Sequence, residues 1–122
     1  MPPATIAASS PTLWLYGMPV SDEIWAAVRT SRAWLDAANG TGEPELTCRI
    51  LKVTEEAGEA AGAWIGVLGQ NPRKGITHSR EDVVRELADV AITALVAIDS
   101  LGFDAHRVLA DQAAAISRRI RQ

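Results

Sequence analysis

Two pairs of acidic residues stand at spacings that can do chemistry. In the stretch 86–98, ELADVAITALVAI, the only polar side chains are Glu86, Asp89 and Thr93. At about 100° per residue on a helix, these three fall within a sector of about 60°, and every other direction is apolar. A helix that is apolar nearly all round is a buried helix, so both carboxylates are expected to face the interior. Burying an unpaired carboxylate is strongly unfavourable, and burying two side by side is worse. Something positive must sit between them.

The segment VTEEAGEAAGAW supplies a matching set, Glu55, Glu56 and Glu59. Glu56 and Glu59 are one turn apart, the spacing of Glu86 and Asp89, and Glu56 borders the apolar stripe of its own helix. Packed antiparallel, the two segments would present four carboxylates around one point, a repulsion that a divalent cation relieves. The only histidines, His78 and His106, do not follow a glutamate by three residues, which argues against a di-iron bundle of the Glu-x-x-His type. An all-oxygen site with room for water suits Mg²⁺ or Mn²⁺, and Mg²⁺ commonly carries substrate phosphates. Nucleotide chemistry is the expectation. The plainer alternative is a solvated helix face, with Lys52 pairing Glu56 at i, i+4. It fits the second pair poorly, because the sequence around Glu86 and Asp89 leaves little solvent face.

Four helices are predicted to position these groups. Ser21, followed by Asp22 and Glu23, opens the first, with Ile24, Val28, Ser31 and Leu35 on one face and Asn39-Gly40 at its end. The second runs from about Pro44 to about Leu68, with an apolar stripe of Leu46, Ile50, Val53, Ala57, Ala60, Ala61, Trp64 and Leu68. That stripe makes Trp64 a core residue, and Gly58 and Gly62 within it predict a close helix approach. Asn-Pro and two glycines make 69–75 a loop. Ser79 with Asp82 resembles a capping box and opens the third helix, which stops at Gly102. Asp104 caps the fourth, which places Leu109, Ala113, Ile116 and Ile120 on one face and Arg118, Arg119 and Arg121 at its end. No strand pattern appears, so the fold class is all-α.

The chain has 122 residues, 48% of them hydrophobic and 22% charged, which is one globular domain and not a disordered tail. Residues 1–20, rich in Pro, Ala and Ser, read as a flexible N-terminal arm with an apolar knot at Leu13, Trp14, Leu15 and Tyr16; residues 21–122 form the domain. Twelve basic against 15 acidic residues, net −3, argue against a nucleic-acid partner. The single Cys48 excludes an intrachain disulfide and a multi-cysteine zinc site, and is expected to be inert. The longest apolar stretch, 90–98, is far short of a membrane span, and the N-terminus does not read as a signal peptide. A cytoplasmic location with no membrane partner is expected.

Glu55-Glu56-x-x-Glu59, followed on the next helix by Glu86-x-x-Asp89, resembles the signature of the all-α nucleoside triphosphate pyrophosphohydrolases of the MazG-like group. The resemblance covers roughly residues 21 to 121. It implies a four-helix MazG-like bundle completed by oligomerisation, and Mg²⁺-dependent hydrolysis of nucleoside triphosphates between the α and β phosphates. Position by position, it makes Glu56, Glu59, Glu86 and Asp89 metal ligands and Glu55 the residue that orients or deprotonates the attacking water. It also implies a nucleobase stacked on Trp34, the alternative being core or subunit interface. Asn71, Arg73 and Lys74 could clamp phosphate or could form an ordinary solvated turn. Arg118 and Arg119 resemble a basic pair of such domains, and equally complement a helix dipole. The 26 residues between Glu59 and Glu86 exceed what a minimal hairpin needs. A homodimer or homotetramer is expected, because the third and fourth helices carry more apolar surface than one protomer covers. Two other readings compete: a phosphoribosyl-ATP pyrophosphohydrolase-like enzyme, and a non-catalytic metal-binding helical interaction module.

Overall fold

The computed structural model describes residues 20–122, and among them the chain is helical with no strand. Helix α1 spans Val20–Asn39, α2 Glu43–Leu68, α3 Arg80–Ser100 and α4 Ala105–Arg121. The predicted arm, apart from its last residue, lies outside the described residues, and the knot at Leu13, Trp14, Leu15 and Tyr16 lies there too.

Local chemistry sets the helix ends. Pro44 sits in the first turn of α2, where its missing N–H removes no bond. The helix stops at Gly69, which takes the left-handed conformation at φ 61°, a region that strains any side chain with a Cβ. Ser79 and Asp82 form the predicted capping box: Ser79 Oγ accepts from the Asp82 N–H at 3.2 Å, and Asp82 Oδ2 accepts from the Ser79 N–H at 2.8 Å. That backbone donor holds the Asp82 carboxyl below its ordinary range. Asp104 caps α4 by accepting from the Arg107 N–H.

Helices α2 and α3 form an antiparallel hairpin. Arg49 bonds to Ser100 at one end, and the Thr77 N–H donates to the Gly66 carbonyl at 2.9 Å at the other. Small residues make the seam: Ala60, Ala63 and Gly66 are buried on α2. The main core lies on the other side of α3, where Val28 of α1, Leu95 and Val96 of α3, and Ala105 of α4 meet. Ile24, Trp25, Leu35, Ile92 and Ile98 close around them. Helix α4 is buried only at Ala105 and touches α1 through His106, whose ring lies 4.7 Å from that of Trp25.

The sequence placed four features differently. The buried face of α2 is Arg49, Ala60, Ala63 and Gly66, so most of the predicted stripe is not core within one protomer. Ile50 and Leu68 are exposed, and Trp64, 38% exposed, carries the Arg80 guanidinium 5.1 Å from its ring centre. Gly58 and Gly62 have open space where a Cβ would point; the close approach is one turn further on, at Gly66, where a Cβ would collide with Thr77 and His78. Helix α3 is not enclosed on all sides either: Val84 and Leu87 are exposed, and so is the predicted face of α4 at Leu109, Ile116 and Ile120. Periodicity identifies a face but not the neighbour that covers it.

Candidate metal centre and its flanking cavities

The hairpin register brings Glu56 of α2 against Glu86 and Asp89 of α3. One carboxylate oxygen from each lies within 4.8 Å of the other two. Glu56 and Glu86 are half-buried and Asp89 is exposed, so the cluster opens to solvent on one side instead of facing a closed interior. Glu59 stands beside it. The charges of Glu56 and Glu86 push the Glu59 carboxyl above the ordinary glutamate range, the mark of negative groups crowded with too little counter-charge.

Among the described residues, one cation reaches this group. Lys52 Nζ lies 3.3 Å from Glu56 Oε1 and 3.2 Å from Glu55 Oε2, and its hydrogen bonds to Glu55 and then Glu56 raise its own pKa. Glu55 is more than half exposed and sits at the rim, outside the three-carboxylate group. The pairing of Lys52 with Glu56 read from the sequence is present, and it coexists with the cluster.

Two cavities flank the carboxylates along the hairpin. The first, about 400 Å³, lies towards the start of α2 and the end of α3, and its wall is mostly apolar. Trp34 and Leu35 of α1, Lys52 of α2, and Ile92, Thr93 and Val96 of α3 line it. Trp34 is 69% exposed, so its ring is an open wall of this cavity and not core. Cys48 also lines the cavity and is exposed. The second cavity, about 280 Å³, lies at the hairpin turn, with Asn71, Lys74 and His78 in its wall.

The remaining predicted site residues separate. The Arg73 backbone N–H donates to Asn71 Oδ1 at 3.0 Å, folding the turn, and the Arg73 side chain lines neither cavity. Arg118 and Arg119 are exposed in the last turn of α4 and line neither cavity. His106 belongs to a third cavity of about 350 Å³ beside Trp25, Arg29 and Phe103, away from the carboxylates.

One charged group went unread in the sequence. Arg49, 5% exposed, bonds Asp36 Oδ1 at 2.7 Å, Glu45 Oε2 at 2.8 Å, Ser100 Oγ at 3.1 Å and the Gly40 carbonyl at 3.0 Å. It ties α1, α2 and α3 together behind the apolar cavity. The only sequence signal is Glu45 four residues before it, a spacing common on solvated helices.

No family model matches the chain, and neither does any curated protein or solved structure. The reading of its function rests on the residues.

Proposed function

We propose that the protein is a metal-dependent nucleoside triphosphate pyrophosphohydrolase of the MazG-like kind, which releases a monophosphate and pyrophosphate. The observation that carries this reading is the meeting of Glu56, Glu86 and Asp89 within 4.8 Å on two antiparallel helices. Three oxygen donors with Glu59 beside them suit Mg²⁺ or Mn²⁺, and the raised pKa of Glu59 marks the repulsion that a divalent cation would remove. When bound, such an ion supplies charge to the phosphates and acidifies a water. Glu56, Glu59, Glu86 and Asp89 would hold it.

The chain's own groups then divide the task. Glu55 at the rim takes a proton from water as the water oxygen bonds to the α-phosphorus. The bond from that phosphorus to the β-phosphate oxygen breaks, and pyrophosphate leaves with the electron pair. The apolar cavity beside the cluster, with the open face of Trp34, suits a nucleobase. Arg73, Arg118 and Arg119 line neither cavity beside the carboxylates. The exposed Ile65, Leu68, Ile76, Val84 and Leu87 support a homodimer or homotetramer that completes the bundle.

The test is a panel of nucleoside triphosphates with Mg²⁺, including phosphoribosyl-ATP, with products separated by chromatography. Monophosphate and pyrophosphate are expected, and Glu55→Gln should lose turnover more than substrate binding. A diphosphate product would refute cleavage between the α and β phosphates. Silence across the panel would favour the non-catalytic metal-binding module.

A further inference from the structure

Three features follow one another along the α2–α3 hairpin. Lys52, Thr93 and Val96 border the apolar cavity; Glu56, Glu86 and Asp89 come next; Gly62, Gly66, Thr77 and His78 border the cavity at the turn. On α2, Gly62 is one turn beyond Glu59, about 4.5 Å along the axis, and Gly62 and Gly66 both lie within about 60° of Glu59 around the helix. The carboxylates therefore sit between a strongly apolar cavity and a less apolar one that carries Lys74 and His78, on the same side of α2.

The cavity at the turn differs in charge from the carboxylate group beside it. Residues 60–80 contain Arg73, Lys74, His78 and Arg80 and no Asp or Glu. No carboxylate lines the cavity, and among the described residues Lys74 has no acidic partner within ion-pair distance. The cations of the apolar cavity are engaged: Lys52 with Glu55 and Glu56, Arg49 with Asp36 and Glu45. The wall that carries Thr77 and His78 is also built in place. The Thr77 N–H is bonded to the Gly66 carbonyl, and Thr77 Oγ1 lies 2.8 Å from His78 Nδ1, which leaves Nε2 of His78 for a ligand. Gly66 has no side chain, and any Cβ there would push Thr77 and His78 away.

We infer that the cavity at the hairpin turn binds the β- and γ-phosphates of the substrate, and pyrophosphate after cleavage, through Lys74, His78 and the side-chain amide N–H groups of Gln70 and Asn71. The nucleotide lies along the hairpin, base against Trp34, α-phosphate at the carboxylates, and terminal phosphates at the turn. This rests on the pyrophosphohydrolase reading and adds to it a direction for the substrate and two residues, Gln70 and His78, that the acidic motif does not point to.

Titration of inorganic pyrophosphate into the whole protein with Mg²⁺, followed by calorimetry, tests the assignment. Lys74 and His78 are exposed, so Lys74→Ala with His78→Ala should fold as the parent does, which circular dichroism checks. The double variant should lose pyrophosphate affinity tenfold or more. Mn²⁺ binding, read by electron paramagnetic resonance, and nucleoside monophosphate binding should stay at the parent's values, and Lys74→Arg with His78 intact should keep pyrophosphate. Turnover of the triphosphate panel is measured on the same samples. If the parent hydrolyses triphosphates while pyrophosphate binds both forms equally, or the double variant loses monophosphate instead, the inference is overturned and the pyrophosphohydrolase reading stands. If the parent hydrolyses none of the panel, that reading falls, and the inference falls with it.

Discussion

Seven residues apart on one face of α2, Arg49 and Glu56 belong to two charged regions of opposite kind. Arg49 is almost fully buried, and each direction of its guanidinium meets an acceptor: two carboxylates, a hydroxyl and a carbonyl. Its hydrogen bonds hold the Asp36 and Glu45 carboxyls below their ordinary ranges. Around Glu56 the balance is reversed. Glu59, Glu86 and Asp89 crowd in, among the described residues only Lys52 offers positive charge, and Glu59 is pushed up instead of down. The first region is complete within the chain. The second is short of positive charge, and that shortage separates a candidate ligand site from a structural ion network.

The largest expected effect separates the two on stability. Arg49→Ala takes from Glu45 its ion-pair partner and from Asp36 one of two, Arg32 remaining 3.0 Å away, and should destabilise by on the order of 3 kcal/mol in chemical denaturation. Glu86→Gln removes a repelled charge and should leave the metal-free protein as stable as the parent, or more so. Equal losses from both variants would erase the distinction.

Metal should act on one region alone. Because binding favours the folded state, Mg²⁺ or Mn²⁺ at a concentration of about 100 times Kd should add about 2.7 kcal/mol, and chelation should remove it. Thermal unfolding of Glu86→Gln or Asp89→Asn should show little of this gain, and Arg49→Ala should keep it. A gain of the same size in the amide variants would place the ion elsewhere.

The smallest effect is on pH, and it carries opposite signs. Glu59 has an ordinary value of 4.5 that is raised in the fold, so the native state holds a proton that the unfolded chain gives up. Its contribution is fully present below 4.5 and is lost as pH rises through the raised value. Asp36 and Glu45, with ordinary values of 3.8 and 4.5, are lowered. Their contribution is present above those values and fades as pH falls through the depressed ones. Without metal, the melting temperature should peak in mild acid, and Glu59→Gln should raise it at neutral pH but not below pH 4.5. A parent and variant that melt together at neutral pH would remove the repulsion argument.

Much of the architecture was legible because local chemistry dictates it. The Asn39-Gly40 end, the Ser79–Asp82 box and the Asp104 cap are each set by residues within one turn, and all three stand as read. The acidic spacing was legible for the same reason, since i, i+3 pairs share a helix face whatever else happens. What depends on helices meeting was not. The burial of Arg49 depends on α1 supplying Asp36 and α3 supplying Ser100, residues 13 and 51 positions away. Trp64 fits an apolar stripe, yet the α2–α3 seam is filled by alanines and Gly66, which turns the indole towards Arg80. The seam set the rotation of α2, and no single-helix pattern records it.

Helix α4 enters the core through one alanine, Ala105, and is otherwise exposed almost throughout its 17 residues. Its backbone is paired with itself, but little packing secures it, so its opening is a small, separate event and not part of the global transition. Amide protons along α4 are then released by local excursions while α2 and α3 stay shut. Stability is graded along the molecule, highest where Arg49 joins three helices and lowest in the last turns that carry Arg118 and Arg119. The carboxylates stand on the two helices that pack most against each other, so their spacing should outlast the opening of the fourth helix.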